Sequence, residues 1–125
     1  MSERPVHVLL IEDDESLRPI LARHLASKGF RVAEAASAEA AADEIAGGLR
    51  PALVLLDLNL PGRTGWDLLR GTSLREAGNP PVVVTTATTV NPTRLRELAV
   101  AGYLPKPFAM ETLVATVERF VGPRP

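Results

Sequence analysis

Short runs of apolar residues alternate along this chain with segments whose apolar residues recur at helical spacing. The runs have the lengths of strands, and some of them, such as Val82–Val84, are apolar without interruption. Continuous apolarity indicates burial on both faces, which is typical of a parallel sheet with helices on each side. We therefore predict an α/β fold with strands at Val6–Ile11, Arg31–Glu34, Ala52–Leu56, Val82–Thr86 and Tyr103–Leu104.

Five helices are expected to alternate with these strands. Ser37 is a favourable N-cap residue before an alanine-rich stripe, so a helix should begin there. Pro92 suits the first turn of a fourth helix, which would turn Leu95, Leu98 and Ala99 inward. The last helix has the clearest helical periodicity, with apolar residues at Met110, Leu113, Val114, Val117 and Val121.

Composition limits the class of protein. A chain of 125 residues with 46% hydrophobic and 23% charged residues is typical of one globular domain. We place this domain at residues 1–125, with a core at about 5–121 and a tail at 122–125 that is a free end or the start of a linker. The net charge of -1 and the scattered basic residues argue against nucleic-acid and membrane partners. The absence of cysteine and of long apolar runs favours a cytoplasmic protein.

Polar residues stand where the predicted strands end. Glu12 and Asp13 follow the first strand, Asp57 follows the third, Thr86 ends the fourth, and Lys106 follows the fifth. In open parallel sheets, ligands bind at the carboxyl ends of the strands. Two carboxylates about 4 Å apart repel by roughly 4 kcal/mol at an effective dielectric of about 20. Three of them beside one lysine therefore indicate a divalent cation held by oxygen ligands.

These motifs resemble those of the receiver domain of two-component response regulators. The similarity covers nearly the whole chain, through VHVLLIEDDESLR, LVLLDLNLPGRTGWDLL, PVVVTTA and GYLPKPF. The resemblance implies a flavodoxin-like (βα)5 fold with a doubly wound parallel sheet in the order 2-1-3-4-5. It also implies a phosphoryl-accepting signalling switch, which is not a turnover enzyme.

The resemblance assigns the acidic residues to phosphoryl transfer. Asp57 matches the phosphoacceptor, whose carboxylate oxygen can attack a phosphoryl group. Asp13 matches the direct Mg²⁺ ligand, and Glu12 matches the acid that reaches the ion through water. The backbone carbonyl of Asn59 would complete the ligand set together with Asp57. Asp14 and Glu15 would instead stabilise the N-terminus of the first helix.

Four further residues match positions of the family's phosphorylation site and switch. Thr86 precedes an alanine, as in the family's Thr-Ala pair, and its hydroxyl would bind a phosphoryl oxygen, although Thr85 is a competitor. Lys106 and Pro107 match the family's Lys-Pro pair, whose peptide bond is typically cis and whose ammonium contacts the phosphoryl group. Tyr103 matches the switch aromatic, which would turn inward when Thr86 moves.

The resemblance also implies partners. A sensor histidine kinase or a phosphotransfer protein would donate the phosphoryl group, and a downstream protein or an output domain outside this chain would receive the signal. The face formed by the fourth helix, the fifth strand and the fifth helix could support a homodimer. The segment from Thr86 to Lys106 is shorter than usual in the family, so we expect a short, displaced or late-starting fourth helix.

Two other interpretations stay open at this point. A Mg²⁺-dependent phosphohydrolase could use Asp57 as its nucleophile, but Asn59 stands where such enzymes place a second acid. A phosphorylation-independent interaction module could keep the fold alone, although the complete set of site residues argues against it. His7 and His24 have no second ligand at metal spacing, and we interpret them, like Trp66, as packing residues.

Overall fold

The sheet contains five parallel strands. The computed structural model describes residues 3–59 and 65–124. In this part of the chain the strands are β1 (Arg4–Ile11), β2 (Val32–Ala35), β3 (Leu49–Asp57), β4 (Val82–Thr86) and β5 (Gly102–Pro105). They form one sheet in the order β2-β1-β3-β4-β5. The predicted α/β fold and strand order are therefore confirmed.

Helices connect the strands. They are α1 (Leu17–Ser27), α2 (Ala38–Ala46), α3 (Gly65–Arg70), α4 (Ser73–Glu76), α5 (Pro92–Glu97) and α6 (Met110–Val121). Helix α2 begins as predicted, because the Ser37 hydroxyl accepts a hydrogen bond of 3.0 Å from the backbone N–H of Ala40. Helix α4 is an additional short segment that we did not predict. None of the helices in the described ranges could span a membrane.

The sheet has an apolar core on each face, because successive side chains of a strand point to opposite sides. Leu9, Ile11 and Leu56 pack with α2 and α3 on one face. Leu10, Leu55 and their neighbours pack with α1 and α6 on the other. A fully buried leucine or isoleucine side chain contributes roughly 1.5–3 kcal/mol. The two cores thus fix the strands that carry the polar residues at their ends.

The strand register brings those ends to one edge of the sheet. Ile11 pairs with Leu56, so the residues that follow β1 and β3 are neighbours. Asp57 in turn pairs with Thr85 of β4. Thr86 pairs with Pro105, the residue before Lys106. The predicted site residues therefore meet along the carboxyl edge.

Helix α5 departs from its predicted packing. It begins at Pro92 as expected, with Asn91 as N-cap, and its Leu95 is partly buried against the core, but it ends at Glu97 and has no fully buried side chain. Ala99 follows in a left-handed backbone conformation (φ 56°) and is exposed. The prediction that Ala99 faces inward is wrong, because the helix has ended before that position. The fourth predicted helix is thus short, as its sequence suggested.

The chain after α6 folds back onto the sheet. Nη1 of Arg124 lies 3.0 Å from Nε2 of His7, and its guanidinium lies 5.6 Å from the ring centre of Phe30. Nδ1 of His7 accepts a hydrogen bond of 2.7 Å from the backbone N–H of Arg31. His7 is therefore more than a packing residue, and the described part of the tail, 122–124, is docked.

Candidate functional site

The acidic run after β1 divides into two roles. Oδ1 of Asp14 accepts hydrogen bonds from the backbone N–H groups of Ser16 (2.8 Å) and Leu17 (3.0 Å), where α1 begins. These bonds lower the pKa of Asp14, because they stabilise its charged form. Asp14 therefore serves the helix start, as predicted. Glu12 and Asp13 remain directed to the edge of the sheet.

Three carboxylates converge at this edge. Glu12, Asp13 and Asp57 each offer one oxygen atom, and these oxygens all lie within 4.8 Å of one another. Glu12 and Asp57 are 2% and 4% exposed, whereas Asp13 is more open to solvent. Close, hard oxygen donors of this kind suit Mg²⁺, which keeps several waters and needs few protein ligands. The donor set thus fits the predicted metal site.

Lys106 is the cation of the site. Its Nζ lies 2.5 Å from Oε1 of Glu12 and 3.3 Å from Oδ2 of Asp57. The peptide bond between Lys106 and Pro107 is cis, as the resemblance implies. Backbone pairing also holds the lysine, because its N–H donates to the Thr86 carbonyl at 2.9 Å. The ammonium is thereby shared between two buried carboxylates.

The crowding of charge changes two pKa values. Burial raises the pKa of Glu12 to about 7; the nearby Asp57 also raises it, and the hydrogen bond from Lys106 opposes the rise. Burial alone would lower the pKa of Lys106, but its hydrogen bond to Glu12 and the charge of Asp57 outweigh this effect and raise it. Lys106 is consequently held in its charged form.

Thr86 lies beside the acids but is engaged with other groups. Its hydroxyl, on a residue that is 1% exposed, accepts a hydrogen bond of 2.9 Å from Nδ2 of Asn59. The same oxygen lies 2.9 Å from the hydroxyl of Thr88 and accepts from the Thr88 backbone N–H at 3.1 Å. Among the described residues, its partners are therefore Asn59 and Thr88 and not a carboxylate.

Tyr103 is at the surface. It is 40% exposed, and its hydroxyl donates to the backbone carbonyl of Thr88 at 3.3 Å. The predicted switch aromatic and the predicted switch hydroxyl are therefore both linked to Thr88.

The Asn59 backbone N–H donates to Oδ1 of Asp57 at 2.9 Å, whereas the metal-binding role of the Asn59 carbonyl stays a prediction.

Sequence reasoning missed two residues near the site. Thr88 belongs to none of the sequence motifs. Its hydroxyl reaches Thr86 only because of the path that the backbone takes after β4. Arg18 was also missed: its Nη1 donates to the Glu12 carbonyl at 2.9 Å, and its guanidinium contacts Glu15 and Glu34. The spacing of Glu15 and Arg18, three residues apart where α1 begins, was a signal that could have identified the pair.

Comparison with known proteins decides the family. The family model of the response regulator receiver domain matches residues 8–118 of this chain. This chain belongs to the receiver domain family of response regulators. Receiver domains are signalling domains rather than turnover enzymes, and they interact with histidine kinases or phosphotransfer proteins. The predicted recognition of the family is thus confirmed.

Individual relatives agree with this assignment. The response regulator MprA of Mycolicibacterium vanbaalenii is 38% identical over 114 residues, which cover 89% of this chain and 48% of the relative. Among solved structures, chemotaxis protein CheY4 of Vibrio cholerae has a TM-score of 0.82 at 25% identity, covering 94% and 99% of the two chains. The HemR receiver domain of Leptospira biflexa has a TM-score of 0.77 at 33% identity, covering 98% of each chain. The chain spans about half the length of the curated relatives that it matches.

Proposed function

We propose that this receiver domain accepts a phosphoryl group on Asp57 and thereby switches a signalling surface. The observation that carries the proposal is the convergence of Glu12, Asp13 and Asp57, with oxygens within 4.8 Å of one another, beside Nζ of Lys106. A nucleophilic carboxylate, oxygen ligands for a cation and a fixed ammonium are the parts that phosphoryl transfer requires.

The transfer is a displacement at phosphorus. An Asp57 carboxylate oxygen forms a bond to the phosphorus of a phosphohistidine on a kinase or phosphotransfer protein, and the P–N bond of the donor breaks. The electron pair of that bond returns to the imidazole nitrogen, and Asp57 becomes an acyl phosphate. Mg²⁺, held by Asp13, by Glu12 through water, and by Asp57 and the Asn59 carbonyl, would neutralise charge on the transferring oxygens.

The described residues supply the remaining electrostatics. Lys106 would contact a phosphoryl oxygen from its position 3.3 Å from Oδ2 of Asp57. The new group adds about -1.5 to -2 charge, which would draw the Thr86 hydroxyl toward it. Movement of Thr86 would leave space for Tyr103 to turn inward. The surface of α5, β5 and α6 would then change, and a downstream partner or a second copy of the chain would read that change.

The experiment is phosphate incorporation from a small phosphodonor with Mg²⁺. We expect one phosphoryl group per chain in the wild type and none in Asp57→Ala, because the acyl phosphate forms on that carboxylate. Full labelling of Asp57→Ala would contradict the assignment. Fast turnover of a phosphate ester would favour a phosphohydrolase, and absence of labelling would favour a phosphorylation-independent module. Transfer from a kinase phosphohistidine is the corresponding partner test, and a cytoplasmic location stays a prediction.

A further inference from the structure

Thr88 contacts both predicted switch residues, although no motif points to it. Its hydroxyl lies 2.9 Å from the Thr86 hydroxyl, and its backbone N–H donates to the same Thr86 oxygen at 3.1 Å. Its backbone carbonyl accepts from the Tyr103 hydroxyl at 3.3 Å. One residue thus joins the buried hydroxyl at the end of β4 to the exposed aromatic ring of β5.

The number of hydrogen bonds at Thr86 fixes their direction. A hydroxyl has two acceptor lone pairs and one proton to donate. Nδ2 of Asn59 and the backbone N–H of Thr88 both donate to Thr86 Oγ1, so its two lone pairs are occupied. The Thr86 proton is therefore donated to Oγ1 of Thr88.

This proton is the one that a phosphoryl oxygen would need. Phosphoryl oxygens are acceptors, so Thr86 can bind one only by donating its hydroxyl proton. By this count of donors and acceptors, the Thr88 hydroxyl, 2.9 Å away, accepts that same proton. Thr88 and a phosphoryl group therefore compete for a single hydrogen bond.

We propose that Thr88 is a positioning residue that holds the Thr86 hydroxyl in the resting arrangement and opposes its transfer to the phosphoryl group. The inference rests on the proposed function, since it concerns the state of Asp57 before phosphorylation. It also gives a route to the surface, because a Thr86 that leaves Thr88 frees the segment that holds the Tyr103 hydroxyl. The strength of this contact sets how readily the switch responds.

The test measures the affinity for beryllofluoride, a phosphoryl mimic, by fluorine NMR in the presence of Mg²⁺. Thr88→Val keeps the side-chain shape and the backbone N–H and carbonyl, and removes the hydroxyl whose oxygen is the competing acceptor. We expect the mimic to bind about two- to tenfold more tightly, which corresponds to one ordinary hydrogen bond. The affinity for Mg²⁺ alone should stay unchanged, whereas a general structural disturbance would alter it.

Two further variants isolate the contact. Thr89→Val makes the same change at the next residue, whose hydroxyl has no hydrogen-bond partner among the described residues, and should leave the affinity at the wild-type value. In a Thr86→Val background, Thr88→Val should have no effect, because the proton for which it competes is gone.

The outcomes separate this inference from the proposed function. Unchanged or weaker mimic binding in Thr88→Val, or an equal gain in the Thr86→Val background, would overturn the role of Thr88 while the proposed function stands. A wild type that does not bind the mimic with Mg²⁺ would overturn both.

Discussion

Nζ of Lys106 lies 2.5 Å from Oε1 of Glu12, a residue ninety-four positions away in the chain and 2% exposed. The distance to Oδ2 of Asp57 is longer, at 3.3 Å. The lysine is thus bound more closely to the predicted metal ligand than to the predicted phosphoacceptor. A cation that binds Glu12 would release the ammonium for Asp57 and its phosphoryl group.

Removal of the Lys106 charge should destabilise the metal-free protein. In Lys106→Met, Glu12 and Asp57 lose their ammonium, and we expect the free energy of unfolding at pH 8 to fall by roughly 2–3 kcal/mol. The loss should be less than for a fully buried pair, because Lys106 keeps 19% side-chain exposure and Glu12 can take up a proton. Urea denaturation with and without Mg²⁺ checks this.

Mg²⁺ should stabilise Lys106→Met more than the wild type, because the competing ammonium is gone. Lys28→Met is the matched control, since Lys28 is exposed and lies at the end of α1. Equal stability of Lys106→Met and the control would contradict the electrostatic role of Lys106.

Mg²⁺ affinity should depend on pH through Glu12. Its pKa is raised to about 7 in the metal-free protein, so below that pH the ligand carries a proton that metal binding must release. Affinity should therefore rise with pH, and binding at pH 6 should be about tenfold weaker than at pH 8 if it requires the charged carboxylate. Calorimetric titration at several pH values measures this.

Glu12→Gln is the control for the pH dependence. It keeps the size of the side chain and removes its titration, so affinity should be lower at pH 8 and change less between pH 6 and pH 8. A wild-type affinity that does not vary over this interval would show that Glu12 is not coupled to the metal.

The convergence of the acids could be predicted from the sequence, and the contacts of Thr86 could not. Glu12, Asp57 and Lys106 each follow an apolar run, and parallel strands place such residues at one edge whatever the details of the loops. The hydrogen bond between Thr86 and Thr88 depends on the backbone path after β4. Strand periodicity ends there, so no sequence pattern describes that path.

The two ends of α5 also differ in how well the sequence predicts them. Pro92 correctly predicted where α5 begins, because proline suits the first turn. Ala99 was expected to continue the inward stripe, yet it adopts φ 56° after the helix has ended. A local signal therefore located the start of this helix, whereas its end was set by the turn that leads into β5.

Gly65 should be intolerant of a side chain. A Cβ atom at this position would lie 2.7 Å from the Asp57 carbonyl oxygen and 2.8 Å from the Cα of Leu58, both of which are backbone atoms. Gly65→Ala must therefore move the backbone next to Asp57, and we expect a loss of roughly 1–3 kcal/mol in stability and weaker Mg²⁺ binding. Thermal unfolding and metal titration measure the two effects.

Gly47→Ala is the control for Gly65. A Cβ atom there would approach the Asp43 carbonyl oxygen at 3.4 Å, an ordinary contact, and the backbone φ is -80°. We expect a change in stability within about 0.5 kcal/mol, as for other surface substitutions. Equal losses for the two alanines would show that the close approach at Gly65 does not constrain the site.

His7 should make stability depend on pH through the docked tail. Burial, followed by the charges of Arg124 and Arg31, lowers the pKa of His7 below its usual value of 6.5. Below pH 6.5 the unfolded chain then binds more protons than the folded one. The contribution of His7 to the free energy of unfolding is therefore complete above pH 6.5 and is lost as the pH falls from 6.5 toward the pKa of His7 in the folded protein. Arg124→Met should raise the pKa of His7 and weaken this dependence, whereas Arg23→Met, at an exposed arginine of α1, should not. Proton NMR titration of His7 measures the shift, and a wild-type pKa above 6.5 would contradict the docking of Arg124.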